Sequence, residues 1–469
     1  MNFFEEFFKT FEKERGSFFK QAQDNYDDFK RFMNEYIKKP GSHYNFSDKE
    51  AFYFKNFLDF WSPKNMPWMN ENVIKSAIQT SGMNFFKGFQ NFMDDFMEGT
   101  VSLGNNSSFK IGENIAITPG KVILQTPMFE LIAYENNKEV NKIPIVIFPS
   151  WVNKFYIFDL QQSNSFVKYL SDNGFAVFIV SWVNPQDEID LCEYINSVDE
   201  VADFLIKTYE FEKLHGLGYC FGGNALLSSA SLKDNQKKWK SLSLLTTLVN
   251  FNLLGDLRFF TDNEAVEKIR KNHGKFINGK SMQMFFQSLR ANDLIWSAMI
   301  KNYWIAQDQE GLDLLFWNAD PCNVSTKTHI ESLEKWCQRN ELFEEKFKVG
   351  RSVSKISKIK VPVLSVGALK DHITPWKGCF DIIKKIPHAK LILSQSGHIA
   401  GVINPPGRKK YGYFKNLENY DIQSCLNFAE KHEGSWWPEL LDFLRQQEAG
   451  LVKGKKHKGI RSAPGEYIF

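Results

Sequence analysis

Cys220 lies in the stretch Leu214–Ala230, LHGLGYCFGGNALLSSA. An apolar strand-like run breaks at Gly218, turns through Tyr219, Cys220 and Phe221, and leaves through Gly222 and Gly223 into a helix of small residues, 224–231. Such a turn needs glycine two residues before and two after its tip, because side chains there would meet neighbouring backbone. It lifts the thiol above the strand ends at a helix N-terminus, where the dipole and free N–H groups favour a thiolate and a developing oxyanion. Asp371 and His398 follow later in the chain, each just past a predicted strand (361–367 and 390–393). Singly these are weak signals. A Gly-rich turn often holds an inert cysteine, an Asp after a strand is usually a cap, and an isolated His is usually structural. A nucleophile, an acid and an imidazole in that order, with the acid and the imidazole on loops after late strands, are a stronger signal than the sum of the three. His372 competes for the base position but follows the wrong strand, so His398 is preferred.

A thiol that takes an acyl group from a thioester forms another thioester. The step is close to thermoneutral, and the acyl group stays activated for a hydroxyl nucleophile if water is excluded. These residues therefore favour acyl transfer from a CoA thioester over hydrolysis. Two N–H groups must receive the oxyanion. One is expected from Phe221, after the nucleophile, and the other from the loop Pro149-Ser150-Trp151-Val152-Asn153, with Val152 the choice.

The elements needed to hold these groups are readable in order. Strand-type segments fall at 114–118, 122–125 and 129–134, then at the continuous apolar run 143–148, and then at 176–181, 214–217 and 241–248. Helical patterns at 164–172 and 197–209 alternate with them, which means a parallel sheet covered by helices. Together with the G-x-C-x-G elbow, the pattern predicts an α/β-hydrolase fold. Alternation stops between about 252 and 358, a stretch too long for a loop, with helical pieces at 291–303 and 329–342. It is expected to be an inserted cap. An amphipathic piece at 436–444 and a basic stretch at 453–461, read as a solvated face, end the chain.

Residues 1–105 are expected to form a separate all-α region, and residues 106–469 the catalytic domain. Phe3, Phe4, Phe7, Phe8 and Phe11 share one helix face, and a second set runs through Phe18, Phe19, Tyr26, Phe29, Phe32, Met33 and Tyr36 to Pro40-Gly41. Core or dimer packing is the plainer account of that face, and contact with an apolar surface the sharper one. Further helices are predicted at 48–61, 72–81 and 84–97, with a linker at 99–108. The chain has 44 Phe and 12 Trp, and 58 basic against 55 acidic residues, so net charge implies no nucleic-acid partner. Six cysteines without C-x-x-C or zinc spacing fit reduced thiols in a cytoplasmic protein, with no metal site expected. No signal-peptide pattern opens the chain, and no apolar run approaches the ~20 residues of a transmembrane span.

Several longer segments resemble the class I polyhydroxyalkanoate synthases, the polymerases of bacterial storage polyesters. They are PIVIFPSWVNKFYIFDLQQSNSFVKYL (144–170), FAVFIVSWVNP (175–185), LLTTLVNF (244–251), LRANDLIW (289–296), DLLFWNAD (313–320), DHITPW (371–376), SGHIAGVINPP (396–406) and GSWWPE (434–439). The resemblance runs from about residue 55 to the C-terminal APGEYIF. It implies Cys220 as the acylated nucleophile, His398 as general base, and Asp371 assisting His398 or the incoming hydroxyl. It also implies an (R)-3-hydroxyacyl-CoA substrate with a short side chain such as 3-hydroxybutyryl-CoA, a polyester granule surface, a homodimer, and no cofactor. Ser150, Val183, Phe221 and Asn224 depart from the family's usual residues, and Phe221 bears on side-chain preference. A thioesterase or intracellular depolymerase on the same fold, and a non-enzymatic granule coat protein, are the rival readings.

Overall fold

The computed structural model describes residues 3–38, 47–99, 101, 108–136, 138–306, 312–407, 410–417, 421 and 424–469; the side chains of 3–17 and of Glu98 lie outside the description. Two compact units form: Met1–Asn106 with Gln283–Leu315, and Ser107–Met282 with Phe316–Phe469. The stretch 252–358, expected as a single cap, is thus divided between the two.

The larger unit is built on an 11-stranded sheet. Strands β1 (Gly120–Gln125), β2 (Phe129–Tyr134), β4 (Ile145–Phe148), β5 (Val177–Trp182), β6 (Leu214–Tyr219) and β7 (Trp239–Leu245) belong to it, while β3 (Glu139–Asn141) pairs outside it with Leu451–Lys453. Across the sheet the order is Glu430–His432, Tyr413–Lys415, Lys390–Ser394, Val363–Ala368, β7, β6, β4, β5, β2, β1, Arg461–Ser462. From β5 through Lys390–Ser394 every pairing is parallel; the strands outside that block pair antiparallel. Residues of β4, β5 and β6 are buried without exception, because helices cover both faces of a parallel sheet.

Several expected boundaries shift for local reasons. The segment 114–118 is a closed turn rather than a strand: Asn114 Oδ1 accepts the Lys110 N–H at 2.8 Å, and Ala116 has φ 57°. β7 stops at Leu245 instead of Leu248 because Thr246 turns to φ 41°. The helix expected from Ser197 starts at Leu191, where Asp190 and Glu193 form a reciprocal capping box. The basic tail is only partly a solvated face. Its lysines are exposed, but Arg461 pairs with the fully buried Glu130 carboxylate on β2, which also accepts the N–H groups of Glu466 and Tyr467 at 2.8 and 3.0 Å. A buried carboxylate needs such partners, since removing one typically costs ~3–5 kcal/mol.

The smaller unit contains α1 (Phe3–Lys38), α2 (Asp48–Phe60), α3 (Glu71–Gln79) and α4 (Met83–Glu98). One helix, Phe3–Lys38, thus runs through both predicted aromatic sets; Phe3 to Phe11 lie on it with their side chains outside the description. Tyr26 of α1 donates to the Leu58 carbonyl, and Lys30 pairs with the buried Asp59. The helix predicted at 291–303 continues to Ile305 with π turns at Asn292–Trp296 and Ile300–Ile305, and ends at Ala306 in the left-handed region. Its last carbonyls have no intrahelical partner. Side chains take them: Ser76 Oγ reaches Ile305 O (2.8 Å), Asn84 Nδ2 Trp304 O (2.6 Å), and Asn91 Nδ2 Asn302 O (2.9 Å). Tyr303 donates to Asp95 at 2.5 Å. The inward face of α4 is therefore polar, and its aromatic residues Phe85, Phe86, Phe89, Phe92 and Phe96 are exposed.

That inward face also requires close approach. A Cβ at Gly88 would lie 1.8 Å from the Tyr303 carbonyl oxygen. Gly88→Ala should therefore destabilise the protein by roughly 1–3 kcal/mol, the usual cost of overpacking. Thermal unfolding checks this; an unchanged melting temperature would show that α4 does not pack this closely.

Candidate functional site

Cys220 follows the last residue of β6 and caps α7 (Phe221–Ala230) with φ 52° and ψ −124°, a conformation L-residues rarely adopt. The glycines around it are there for the reason the sequence gives. A Cβ at Gly218 would stand 2.4 Å from Gly223 Cα, and one at Gly222 would stand 2.1 and 2.3 Å from the Phe148 and Pro149 carbonyl oxygens. A Cβ at Gly223 would lie 1.9 Å from Thr247 Oγ1. The Cys220 N–H donates to Leu245 O at 3.0 Å, which ties the turn to the end of β7.

Asp371 lies just after Val363–Ala368, with its side chain fully enclosed. Its Oδ1 accepts the N–H groups of Ile373 (2.8 Å) and Thr374 (2.9 Å). Its Oδ2 accepts the Thr374 hydroxyl (2.8 Å) and faces His398 Nδ1 at 2.7 Å. Thr374 Oγ1 is also 3.1 Å from His398 Nδ1. The Cys220 side chain lies close enough to His398 to raise its affinity for a proton, and the His398 ring packs on Tyr219, with centroids 5.3 Å apart. The three residues singled out in the sequence thus meet in one place, and His398, rather than His372, is the imidazole paired with Asp371.

The loops carrying the acid and the imidazole are fastened to each other and to the tail. Lys370 N–H donates to Ser396 O at 2.9 Å, and Leu369 N–H to Ser394 O at 2.8 Å. The indoles of Trp436 and Trp437 donate to Gly401 O (2.7 Å) and Val402 O (2.8 Å), which holds the turn after His398 from behind. Sequence reasoning missed the roles of Thr374 and of these two indoles. For Thr374 the available signal was an Asp followed three residues later by Thr, the pattern of a local side-chain-to-backbone turn.

Electrostatics separate the site from the other thiols. Burial lowers the affinity of His398 for a proton, but the charge of Asp371, its hydrogen bond and the Cys220 side chain outweigh that and raise His398 to about 10. Burial opposes the Asp371 carboxylate, yet the His398 charge and the bonds from His398 and Thr374 hold it below its ordinary value. Burial pushes Cys322 and Cys337 up to about 12, and raises Cys192, Cys379 and Cys425 as well, so these make poor thiolates.

The loop after β4 holds the other expected donor. Trp182 Nε1 donates to Pro149 O at 2.9 Å, and Asn153 bridges to Pro321. Just beyond it, Lys154 pairs with Asp320 at 2.7 Å, Tyr156 donates to Asp320 at 2.9 Å, and Trp317 Nε1 donates to Lys154 O at 2.7 Å. Val152 N–H is 3.5 Å from Ser150 Oγ, a long contact that leaves it available to a stronger acceptor. Phe221 is the first residue of α7, so its N–H has no acceptor within the helix.

A raised imidazole has a consequence for stability. His398 binds its proton more tightly folded than unfolded, so its contribution is complete below the unfolded value near 6.5 and is lost as pH rises through about 10. The stability difference between the parent and His398→Gln should therefore shrink as pH is raised from 6.5 to 10, as read by urea unfolding. A constant difference would mean that the imidazolium is not stabilised by Asp371.

Residues 143–405 match the profile of the alpha/beta hydrolase fold, and residues 5–170 match the poly-beta-hydroxybutyrate polymerase (PhaC) N-terminus. The poly(3-hydroxyalkanoate) polymerase subunit PhaC of Rhizobium meliloti is 34% identical over 90% of this chain and 72% of its own length. The subunit of the same name from Cupriavidus necator is 30% identical over 89% of this chain and 75% of its own. Among solved structures, the monoacylglycerol lipase of Paleococcus ferrophilus matches 67% of this chain and 99% of its own at 12% identity and a TM-score of 0.37. On its long matches to curated relatives, the chain belongs to the poly(3-hydroxyalkanoate) polymerase family, on an α/β hydrolase fold.

Proposed function

We propose that this polymerase joins (R)-3-hydroxyacyl units with short side chains, 3-hydroxybutyryl among them, from CoA thioesters through an acyl group carried on Cys220. The Asp371–His398 pair beside a cysteine on a strained turn is the observation that carries the reading. His398 takes the proton of the Cys220 thiol. The Cys220 sulfur attacks the thioester carbonyl, and the Phe221 and Val152 N–H groups receive the oxyanion. The carbon–sulfur bond to CoA then breaks, and CoA leaves as a thiol with the proton from His398. Neutral His398 next removes the proton from a 3-hydroxyl group, whose oxygen attacks the carbonyl of an acyl thioester. The ester bond forms as the carbon–sulfur bond to Cys220 breaks, and the Cys220 sulfur takes the proton back from His398.

Asp371 acts through His398 in this scheme rather than on the hydroxyl directly. Its enclosed side chain, with both oxygens already engaged, supports that choice. The relatives, named as poly(3-hydroxyalkanoate) polymerases, favour polymerisation over hydrolysis by a thioesterase or depolymerase, and over a non-enzymatic coat role.

The helical region is the part assigned to the granule surface, in a cytoplasmic homodimer. The exposed aromatic face of α4 supports this more directly than the Phe-rich start, since an apolar face of that extent is unusual on a monomer's surface. No helix among the described residues is long and apolar enough to cross a membrane, so attachment would be by surface contact.

Purified protein given 3-hydroxybutyryl-CoA should yield polymer and free CoA; free acid with CoA would establish a hydrolase, and no CoA a coat protein. Cys220→Ala should abolish CoA release and Cys220→Ser should nearly do so, while alanine at Cys192, Cys322, Cys337, Cys379 or Cys425 should leave most activity. Asp371→Asn and His398→Gln should lose trapped acyl-enzyme alike, by ~10²–10⁴ in rate. Faster acylation in the Asp371 variant than in the His398 variant would assign Asp371 to the hydroxyl instead. The triple change Phe86→Ser, Phe89→Ser, Phe96→Ser should reduce pelleting with polymer without lowering the melting temperature. Parent-like pelleting would remove α4 from the contact.

A further inference from the structure

The Trp151 side chain, between Ser150 and Val152, is 2% exposed. One face of its indole stacks on Tyr194 of α6 (Leu191–Tyr209), centroids 4.4 Å apart and planes 21° apart. Trp151 also stacks on Phe221, at 5.2 Å and 14°. Phe221 stacks on Trp336 at 6.0 Å, and Trp336 on Phe251 at 6.0 Å. These rings form a column through five separate segments: α6, the loop after β4, the first residue of α7, the π turn Ser332–Gln338, and the 3₁₀ turn Phe251–Leu253. One of its rings, Phe221, belongs to the residue that follows Cys220 in the chain.

Its central contact joins the two segments that carry the expected oxyanion donors. Phe221 bears one N–H itself, and the other belongs to the peptide that follows Trp151. Hydrogen bonds hold the loop at its ends, through the Trp182 indole on Pro149 O and the Asn153–Pro321 bridge. At its centre Val152 N–H has only the 3.5 Å contact with Ser150. An oxyanion pocket works only when its donors are fixed in advance at the spacing the transition state needs.

We propose that Trp151 is a positioning residue: its stacking on Phe221 sets the spacing of the Val152 and Phe221 N–H groups for acyl transfer to Cys220. This rests on the assignment of Cys220 as the acylated nucleophile and of those two N–H groups as oxyanion donors. Stacking between aromatic faces adds to simple burial, so an aliphatic side chain of similar size cannot replace the ring.

The test uses the full chain with Trp151→Leu, Trp151→Phe and Phe221→Leu. Three quantities are read: the first-turnover rate of CoA release from 3-hydroxybutyryl-CoA with its KM, the carbamidomethylation rate of Cys220 by iodoacetamide followed on the Cys220 peptide, and the melting temperature. Alkylation needs the thiolate but no oxyanion donor. Trp151→Leu should slow CoA release about 10–100-fold, short of the ~10²–10³ for outright loss of one donor. KM and alkylation should stay within about twofold of the parent, and Trp151→Phe should recover most of the rate. If Trp151→Leu does not fold, Phe221→Leu removes the other ring of the pair and keeps its backbone N–H. Parent-like CoA release, a Phe variant as slow as the Leu variant, or alkylation falling in step with CoA release would each overturn the proposal. The underlying assignment fails separately: CoA release by Cys220→Ala would remove it whatever Trp151 does.

Discussion

Backbone-to-backbone contact at the turn around Cys220 is the constraint on which the site depends. Gly222 lies against the carbonyl oxygens of Phe148 and Pro149, and Gly223 against Thr247, at distances that exclude any side chain. Those contacts bring the ends of β4, β6 and β7 together. The nucleophile and the start of the loop that carries the second oxyanion donor are thereby set by close contact at glycine backbone, against main chain at Gly222 and against the Thr247 side chain at Gly223. The price is Cys220 at φ 52°, a strain of roughly 1–3 kcal/mol that persists only because the surroundings over-determine it.

The acid and the imidazole are set differently, by hydrogen bonds reaching in from outside. Thr374 fills the remaining positions around Asp371, and two adjacent indoles hold the turn after His398. Trp436 and Trp437 are buried at the start of the last long helix, so the C-terminal region takes part in fixing a residue on the far side of the sheet order from β4. In this way a charged pair stays enclosed without an unmet partner, the condition under which a buried ion pair is tolerated.

The parts legible in the sequence are those whose physics is local. Apolar runs such as Ile145–Phe148 and Val363–Ala368 announce buried parallel strands, and the glycines around Cys220 announce a turn without room. Asp371 and His398 were legible because each ends a strand. The remainder depends on partners distant in sequence. A short strand such as Arg461–Ser462 has no periodicity to read, and it exists because β1 offers an edge and Glu130 a charge. The polar stripe Asn84, Gly88, Asn91 and Asp95 is hidden for the opposite reason. Ordinary amphipathic logic turns the phenylalanines of α4 inward, and only the open carbonyls of residues 302–305 reverse it. The column from Tyr194 to Phe251 was invisible too, since its rings come from five separate segments.

That reversed helix also bears on how the protein is made. The acceptor for Asn84 lies 220 residues further along the chain, and the one for Asn91 lies 211 further. While the ribosome is still producing the intervening sequence, the polar side of α4 has no partners, and its aromatic side is exposed as it is in the finished fold. A nascent chain in that interval presents a sticky helix with unmet amides, the kind of species that chaperones retain and that aggregates when synthesis outruns closure. Conditions that slow elongation between residues 98 and 306 should therefore weigh on the yield of folded protein more than a pause of equal length after residue 315.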